Sequence, residues 1–218
     1  MKAKAWDSLW RDKEMRLILS KPAEDVVSLI PKLKREKVYQ VLDLGCGIGR
    51  HVVLMAKQGF EVYALDSSEY AVEYCRNWAR AEGVEATIEH GYMEKLIYSN
   101  SFFDFALAWN VIYHTTRKGI VVTLEEVQRV LKKDRLFYLT FNSTRNKNCG
   151  QGIQVENGTF DNPEKADGHH LHHYSDERDV RDLLSNWHIE RLIEAEENGD
   201  GGPYPDSWHW KILARNSK

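Results

Sequence analysis

The segment Val41-Leu42-Asp43-Leu44-Gly45-Cys46-Gly47-Ile48-Gly49 sets the architecture expected of this chain. An apolar run climbs to an acidic residue, and glycine then takes every second position. A short buried strand that breaks into a glycine turn and opens a helix is how a doubly wound α/β fold presents a nucleotide site. Each glycine there supplies positive φ, or a missing Cβ that lets backbone approach a ligand. The dinucleotide spacing G-x-G-x-x-G does not fit, because it needs glycine where Arg50 or Val52 stands.

Working outward, Glu61-Val62-Tyr63-Ala64-Leu65-Asp66-Ser67-Ser68 forms a second alternating strand that ends on a carboxylate. It lies about 20 residues past the glycine loop, where an acidic group accepts from ribose hydroxyls. Asp43 and Asp66 are then expected at the ends of neighbouring strands over one crevice; as mere strand-end caps they would leave the spacing unexplained. The pattern D-x-G-x-G-x-G with this second acid resembles motif I of the class I S-adenosylmethionine-dependent methyltransferases. The resemblance extends over residues 38–215, and the end of the chain, Trp208 to Arg215, is weakly similar to tellurite-resistance methyltransferases. It implies a three-layer, doubly wound sheet of seven strands, six parallel and one antiparallel. It also implies a cofactor site from Asp43, Gly45, Cys46, Gly47 and Gly49, with Asp66 and Ser67, and Asn110 at the C-terminal end of the fourth strand. Family members commonly carry Gly-Asp-Met where this chain has Gly91-Tyr92-Met93, so the Met93 backbone and Tyr92 are the implied adenine contacts, with either Glu94 in place of the usual carboxylate or Tyr92 stacking or donating instead.

Length and composition narrow the reading. The 218 residues suit one domain with an insertion. A net charge of −3 gives no basic face for nucleic acid. No apolar run is long enough to span a bilayer, and the charged, aromatic N-terminus argues against a secretory leader. Three widely spaced cysteines, Cys46, Cys75 and Cys149, suit reduced thiols in a cytoplasm. Cys46 reads as a small buried residue fitting the turn, with a nucleophile as the competing reading.

Along the chain, Trp6 and Trp10 share one helix face by their i,i+4 spacing. They either anchor an N-terminal helix or form a lid, residues 1–20, that brings Trp10 over the cofactor. Ser20 is expected to cap a helix that Pro31 disturbs in its second half. Strands are expected at 38–44, 61–66, 87–90 and 102–110, with helices from Arg50 to a stop at Gly59, and from Ser67 or Ser68 to a stop at Gly83. Thr123 with Glu126 reads as a capping box, a turn at 132–134 leads into a strand at 136–141, and a hairpin of strands at 188–195 and 208–215 closes the chain.

Residues 142–174 are polar and weakly patterned, which inside a compact domain marks a functional or mobile segment. In the resembled fold, insertions here cover the substrate. The run His169-His170-Leu171-His172-His173 puts His170 and His172 on one side if extended. No carboxylate or nearby thiol completes a ligand set, so a substrate-facing or surface role is expected and no metal. Tyr113 and His114 follow the fourth strand and are the candidate catalytic pair. His114 is either a general base near neutral pH or a hydrogen-bonded wall residue.

The function these residues imply is methyl transfer from S-adenosylmethionine to a small-molecule acceptor, by a single domain that is a cytoplasmic monomer or homodimer. A protein that binds the adenosyl ligand without catalysis is the alternative. A nicotinamide dehydrogenase fails at Arg50 and Val52.

Overall fold

The computed structural model describes residues 2–162, 171–196 and 207–218. Helices α1 (Lys2–Arg11) and α2 (Lys13–Ile18) make up the N-terminal segment. They are split by Asp12, whose carboxylate accepts from the N–H groups of Glu14 at 2.7 Å and Met15 at 3.1 Å. Helix α3 (Glu24–Arg35) starts after Ala23, which offers no side-chain cap, so the expected Ser20 cap is not used. It also runs through Pro31. Burial of Leu29, Ile30 and Leu33 around the proline outweighs the one forfeited backbone bond.

Strand β1 (Gln40–Leu44) leads into the glycine loop and α4 (Arg50–Lys57), which stops at Gly59 with φ of 85°. Strand β2 (Glu61–Asp66) precedes α5 (Glu69–Ala81), capped by the Ser68 hydroxyl on the N–H of Ala71. Strands β3 (Thr87–His90) and β4 (Phe103–Ala108) follow. Helix α6 (Arg117–Val130) begins earlier than the Thr123–Glu126 pattern suggested. Its cap is Thr116, accepting from Gly119, while Thr123 sits inside the helix and donates to the Gly119 carbonyl at 2.9 Å. Glu126 instead accepts from the N–H of Leu96 at 2.8 Å. The helix passes directly into β5 (Leu131–Ser143), and the expected turn lies within that strand, where Asp134 has φ of 58°.

The polar segment after β5 forms β6 (Ile153–Glu156), β7 (Thr159–Asp161) and β8 (Leu171–Ser175), followed by α7 (Glu177–Leu183), β9 (Trp187–Glu196) and β10 (Trp208–Asn216). The described residues therefore hold a sheet of ten strands, which corrects the expected seven. Its order runs β3-β2-β1-β4-β5-β8-β7-β6, and β10 pairs antiparallel with both β5 and β9. The three unforeseen strands are β6, β7 and β8, of four, three and five residues; β6 alternates as Ile153-Gln154-Val155-Glu156, but over too short a run to stand out from the polar segment around it.

Apolar side chains pack both faces. Val26 and Leu33 of α3, Val52 and Met55 of α4, and Val72 and Cys75 of α5 meet Val41, Phe105 and Leu107 on one side. Val127 and Val130 of α6 with Leu183 of α7 meet Leu42, Phe137 and Leu139 on the other. This is a three-layer α/β arrangement. Strands β1 to β4 are mutually parallel, so their carboxyl ends open on one crevice.

Strand β5 runs past the end of β4. Asn142 and Ser143 pair with Tyr174 and Ser175 of β8, on the edge that β4 occupies further back, because β10 holds the opposite edge. Strand β8 thus lies over the crevice end of β4. The N–H of His173 donates to the carbonyl of Tyr113 at 2.8 Å and ties it there.

Candidate active site

The crevice is a cavity of about 440 Å³ reaching from the glycine loop to β8. At one end the loop leaves β1 with Gly45, Gly47 and Gly49 at φ of 67°, 53° and 101°. The space a side chain would need is already filled. A Cβ on Gly45 would lie 2.4 Å from Val111, and one on Gly47 would lie 2.7 Å from the Trp10 indole. Gly47 is therefore the point where α1 rests on the loop. Helix α1 is fastened by Asp7, which accepts from the Ser68 hydroxyl and from the N–H of Tyr70, and by Arg11 over the Tyr70 ring.

Asp66 organises this end. Its two carboxylate oxygens accept from the N–H of Gly47 and of Ser68, each at 2.8 Å, so one side chain joins the glycine loop to the cap of α5. Burial pushes its carboxyl above the ordinary range, against the pull of those N–H donors. Ser67 lies beside it on the cavity wall. Asp43 is buried beneath the loop and is not among the wall residues; its Oδ2 has no hydrogen-bond partner among the described residues. Burial raises its carboxyl to about 7, helped by Asp66 and opposed by Arg50. Gly49 also stays off the wall, packing against the Cys75 thiol as the left-handed residue before α4.

Cys46 lines the cavity, but a hydrogen bond with Cys75 and burial hold its thiol well above the ordinary pKa. A protonated thiol is a poor nucleophile. Tyr92, Met93 and Glu94 form the wall beyond β3; Tyr92 is half exposed and lies edge-on to His90. Asn110 takes positive φ, 58°, and is held by Thr140, whose hydroxyl accepts from its N–H at 2.7 Å and donates to its Oδ1 at 2.9 Å. His51, beneath α3, accepts from the N–H of Ala23 at 3.2 Å, and burial drives its pKa far down, so it is a neutral imidazole.

The far end is a cluster of rings. Tyr113 and His114 both line it, with centroids 4.4 Å apart. Trp6 of α1 meets His114 edge-on at 4.7 Å, so the N-terminal helices reach both ends of the cavity. His172 of β8 meets His114 at 4.7 Å, and the Tyr113 hydroxyl is paired with Nε2 of His209 at 3.2 Å. His173 points the other way, between the Thr159 hydroxyl at 2.7 Å and the Asp179 carboxylate at 2.9 Å. Burial would raise that carboxyl, but hydrogen bonds from His173, Arg117 and Ser175 hold it at about 2. The histidine run is thus divided between the crevice and a structural tie, and His169 and His170 lie outside the described residues. Asn142, Asn146, Lys147 and His209 are wall residues that sequence reasoning did not single out.

Comparison with known proteins agrees with this geometry. Residues 41–134 match the family described as a methyltransferase domain. The ubiquinone biosynthesis O-methyltransferase of Rickettsia canadensis is 33% identical over 75 residues, 34% of this chain and 31% of that protein. The chain spans about a third of the length of that relative. Among solved structures, a SAM-dependent methyltransferase of Methanosarcina mazei superposes with a TM-score of 0.69 at 23% identity, over 81% of this chain and 91% of the other. TehB of Haemophilus influenzae superposes with a TM-score of 0.67 at 15% identity, over 89% and 62%. The layered sheet, the glycine loop and Asp66 at the end of β2 accordingly make up the class I S-adenosylmethionine-dependent methyltransferase fold.

Proposed function

We propose that this chain is an S-adenosylmethionine-dependent methyltransferase acting on a small-molecule acceptor, with one domain over residues 1–218, a lid at 1–20 and an acceptor-side insertion at 142–174. The observation that carries the reading is the single cavity with Asp66 and the glycine loop at one end and Tyr113 and His114 at the other. The site fits the cofactor by its own chemistry. Asp66 offers a carboxylate already oriented by two N–H groups to a ribose diol. The start of α4 offers backbone N–H groups to a carboxylate. Met93 presents backbone, and Tyr92 a phenol, to the adenine. Trp10 presents an aromatic face beside the loop, a favourable neighbour for a cation.

Bound S-adenosylmethionine supplies an activated methyl group on a sulfonium. The work left to the chain is placement and exclusion of water. Asn110, locked by Thr140, shapes the boundary between the two ends. Trp6 and Trp10 cover the crevice from α1. Tyr113 and His114 face the acceptor, and β8 closes the remaining side. The likeness to TehB is one of fold. The free thiols of Cys46, Cys75 and Cys149 suit a reducing cytoplasm, and no described helix is long and apolar enough to cross a membrane. A monomer or homodimer is the assembly we infer.

The test is calorimetric titration with S-adenosylhomocysteine and NADH, followed by an acceptor screen for release of S-adenosylhomocysteine. Binding of S-adenosylhomocysteine with turnover supports the proposal. Tighter binding of NADH overturns it, and adenosyl binding without turnover on any acceptor favours the non-catalytic alternative.

A further inference from the structure

We propose that Arg117, Glu156, Thr159, His173 and Asp179 are positioning residues for the acceptor end, joined in one closed circuit of hydrogen bonds that fixes which side chain of β8 faces the crevice. Calling that end the acceptor side rests on the methyl-transfer reading; the circuit stands on its own geometry.

The circuit closes on Arg117 from both directions. The guanidinium Nε donates to Oδ1 of Asp179 at 2.8 Å, and the Arg117 backbone N–H donates to Oε1 of Glu156 at 2.6 Å. Oδ2 of Asp179 meets Nε2 of His173 at 2.9 Å. Nδ1 of His173 meets the Thr159 hydroxyl at 2.7 Å, and that hydroxyl donates to the same Glu156 oxygen at 2.9 Å. The Asp179 carboxyl, held at about 2, is ionised and can only accept, so Nε2 of His173 carries a hydrogen. The Ser175 hydroxyl donates to that carboxylate as well, at 2.9 Å, and Asp182 is a second partner for the guanidinium. Thr159 and His173 are buried, and the other three members are half-buried.

The members come from the start of α6, the β6–β7 hairpin, β8 and α7, and they brace the far end of the cavity from behind. The stretch that carries Tyr113 and His114 is held at its start by the His173 N–H on the Tyr113 carbonyl, 2.8 Å, and at its end by Arg117. His172, which lines the cavity, is the neighbour of His173 on β8. Thr159 and His173 are direct partners across β7 and β8, as Phe160 and His172 are, so the two pairs face opposite sides. Main-chain pairing alone resists a slip only weakly, because β8 joins β5 through the pairs Asn142–Tyr174 and Ser143–Ser175. Replacing a partly buried ion pair by apolar packing is often neutral for stability. Apolar contact would also tolerate a slip of β8, whereas a closed circuit with matched donors and acceptors does not. Direction is what these five polar side chains contribute.

The experiment uses the full chain saturated with S-adenosylhomocysteine and compares Thr159→Val with Thr159→Ser. Valine keeps the side-chain shape and suits a strand but opens the circuit; serine restores the hydroxyl. Amide hydrogen exchange is read together with the nuclear Overhauser effect between the His114 and His172 rings, whose centroids are 4.7 Å apart. In Thr159→Val the amides of His173 and Tyr174 should exchange about tenfold faster, the worth of one lost hydrogen bond, while those of β1 and β2 keep their rates. The His114–His172 effect should weaken, and Thr159→Ser should restore both readings. Affinity for S-adenosylhomocysteine, measured by calorimetry, should stay unchanged throughout. Uniform acceleration across β1, β2 and β8 with the His114–His172 effect intact makes the circuit a plain stability element and overturns the inference. A Thr159→Val protein identical to wild type overturns it too. Asp179→Asn, which breaks the circuit at a half-buried position, should reproduce the local pattern and decides the matter if Thr159→Val does not fold. Failure of S-adenosylhomocysteine to bind removes the methyl-transfer reading; the same exchange measurement on the ligand-free chain then still tests the circuit.

Discussion

Asp66→Asn is the substitution that tests the site most directly, because it keeps the shape of the side chain and changes only its hydrogen-bonding character. In the native site each oxygen accepts one backbone N–H, from Gly47 and from Ser68, both at 2.8 Å. Asparagine has one acceptor oxygen and one donor nitrogen. Either orientation of the amide turns an N–H donor toward one of the two backbone donors. Asp66 is 8% exposed, so water has little access to repair the loss. A buried donor stripped of its partner costs about 1–3 kcal/mol, and that is the expected fall in stability of the ligand-free protein.

The effect on binding is separate. A hydrogen bond to a charged acceptor is worth about 1.5–3 kcal/mol and one to a neutral acceptor about 0.5–1.5 kcal/mol. Exchanging one for the other toward a ribose diol removes roughly 1–2 kcal/mol, or about five- to thirtyfold in affinity. Urea unfolding and calorimetric titration with S-adenosylhomocysteine measure the two effects independently. A variant with unfolding free energy within about 0.5 kcal/mol of wild type and unchanged affinity refutes the reasoning. A loss of stability alone would make Asp66 a clamp for the loop and not a ligand.

Three further outcomes follow from the same geometry. The Asp43 carboxyl, raised to about 7 by burial, binds an extra proton in the folded state, so folding stability falls as pH rises from about 4 through 7, by at most about 4 kcal/mol. Asp43→Asn removes that fall; urea unfolding at pH 5 and 8 should show the variant gaining on wild type at the higher pH, and an equal difference at both pH values would falsify the assignment. Trp10→Ala removes the ring resting on Gly47, and calorimetry should show affinity for S-adenosylmethionine falling about two- to thirtyfold, the worth of an aromatic face beside a cation; unchanged affinity rejects the lid. His114→Ala should slow single-turnover methyl transfer by about tenfold or less where placement alone carries the step, since a soft or anionic nucleophile needs no base, whereas a deficit of about a thousandfold that titrates near pH 6.5 would make His114 a general base.

The parts of the fold legible in the sequence are those where local chemistry and tertiary packing agree. Val41 to Leu44 is apolar because β1 is covered on both faces, and the glycines after it stand where positive φ or close approach is required. Gly59 and Gly83 mark helix ends for the same reason. Thr123 and Glu126 misled because a capping box is a spacing of residue types, and an interior turn of α6 happens to carry it. The cap in use, Thr116, stands just beyond Tyr113 and His114, whose backbone β8 ties down. Pro31 misled in the opposite sense, since a local breaker was overruled by buried leucine and isoleucine. Strands β6 and β7 gave only a short signal: Ile153 and Val155 alternate with Gln154 and Glu156, but they are exposed at the sheet edge and belong to no core.

The two ends of the cavity differ in the same way. The cofactor end is built by residues adjacent in sequence to strand ends, so its composition is readable from motif and spacing. The acceptor end is assembled by β8 crossing onto the edge of β5, with His172 turned inward and His173 turned outward between Thr159 and Asp179. Which histidine faces the crevice is decided by the one-residue register of that pairing, because a strand exposes alternate residues on alternate faces. A shift of one position would exchange the ligand-facing ring for the structural one and break the Asp179 tie at the same time. The register is held by the His173 N–H on the Tyr113 carbonyl, and so by the residue whose ring forms the neighbouring wall. The matching family model, over residues 41–134, ends before β8 begins. The family match takes in the glycine loop, Asp66, Tyr113 and His114, and it stops short of Lys147, His172 and His209, so that part of the wall has to be read from its own chemistry.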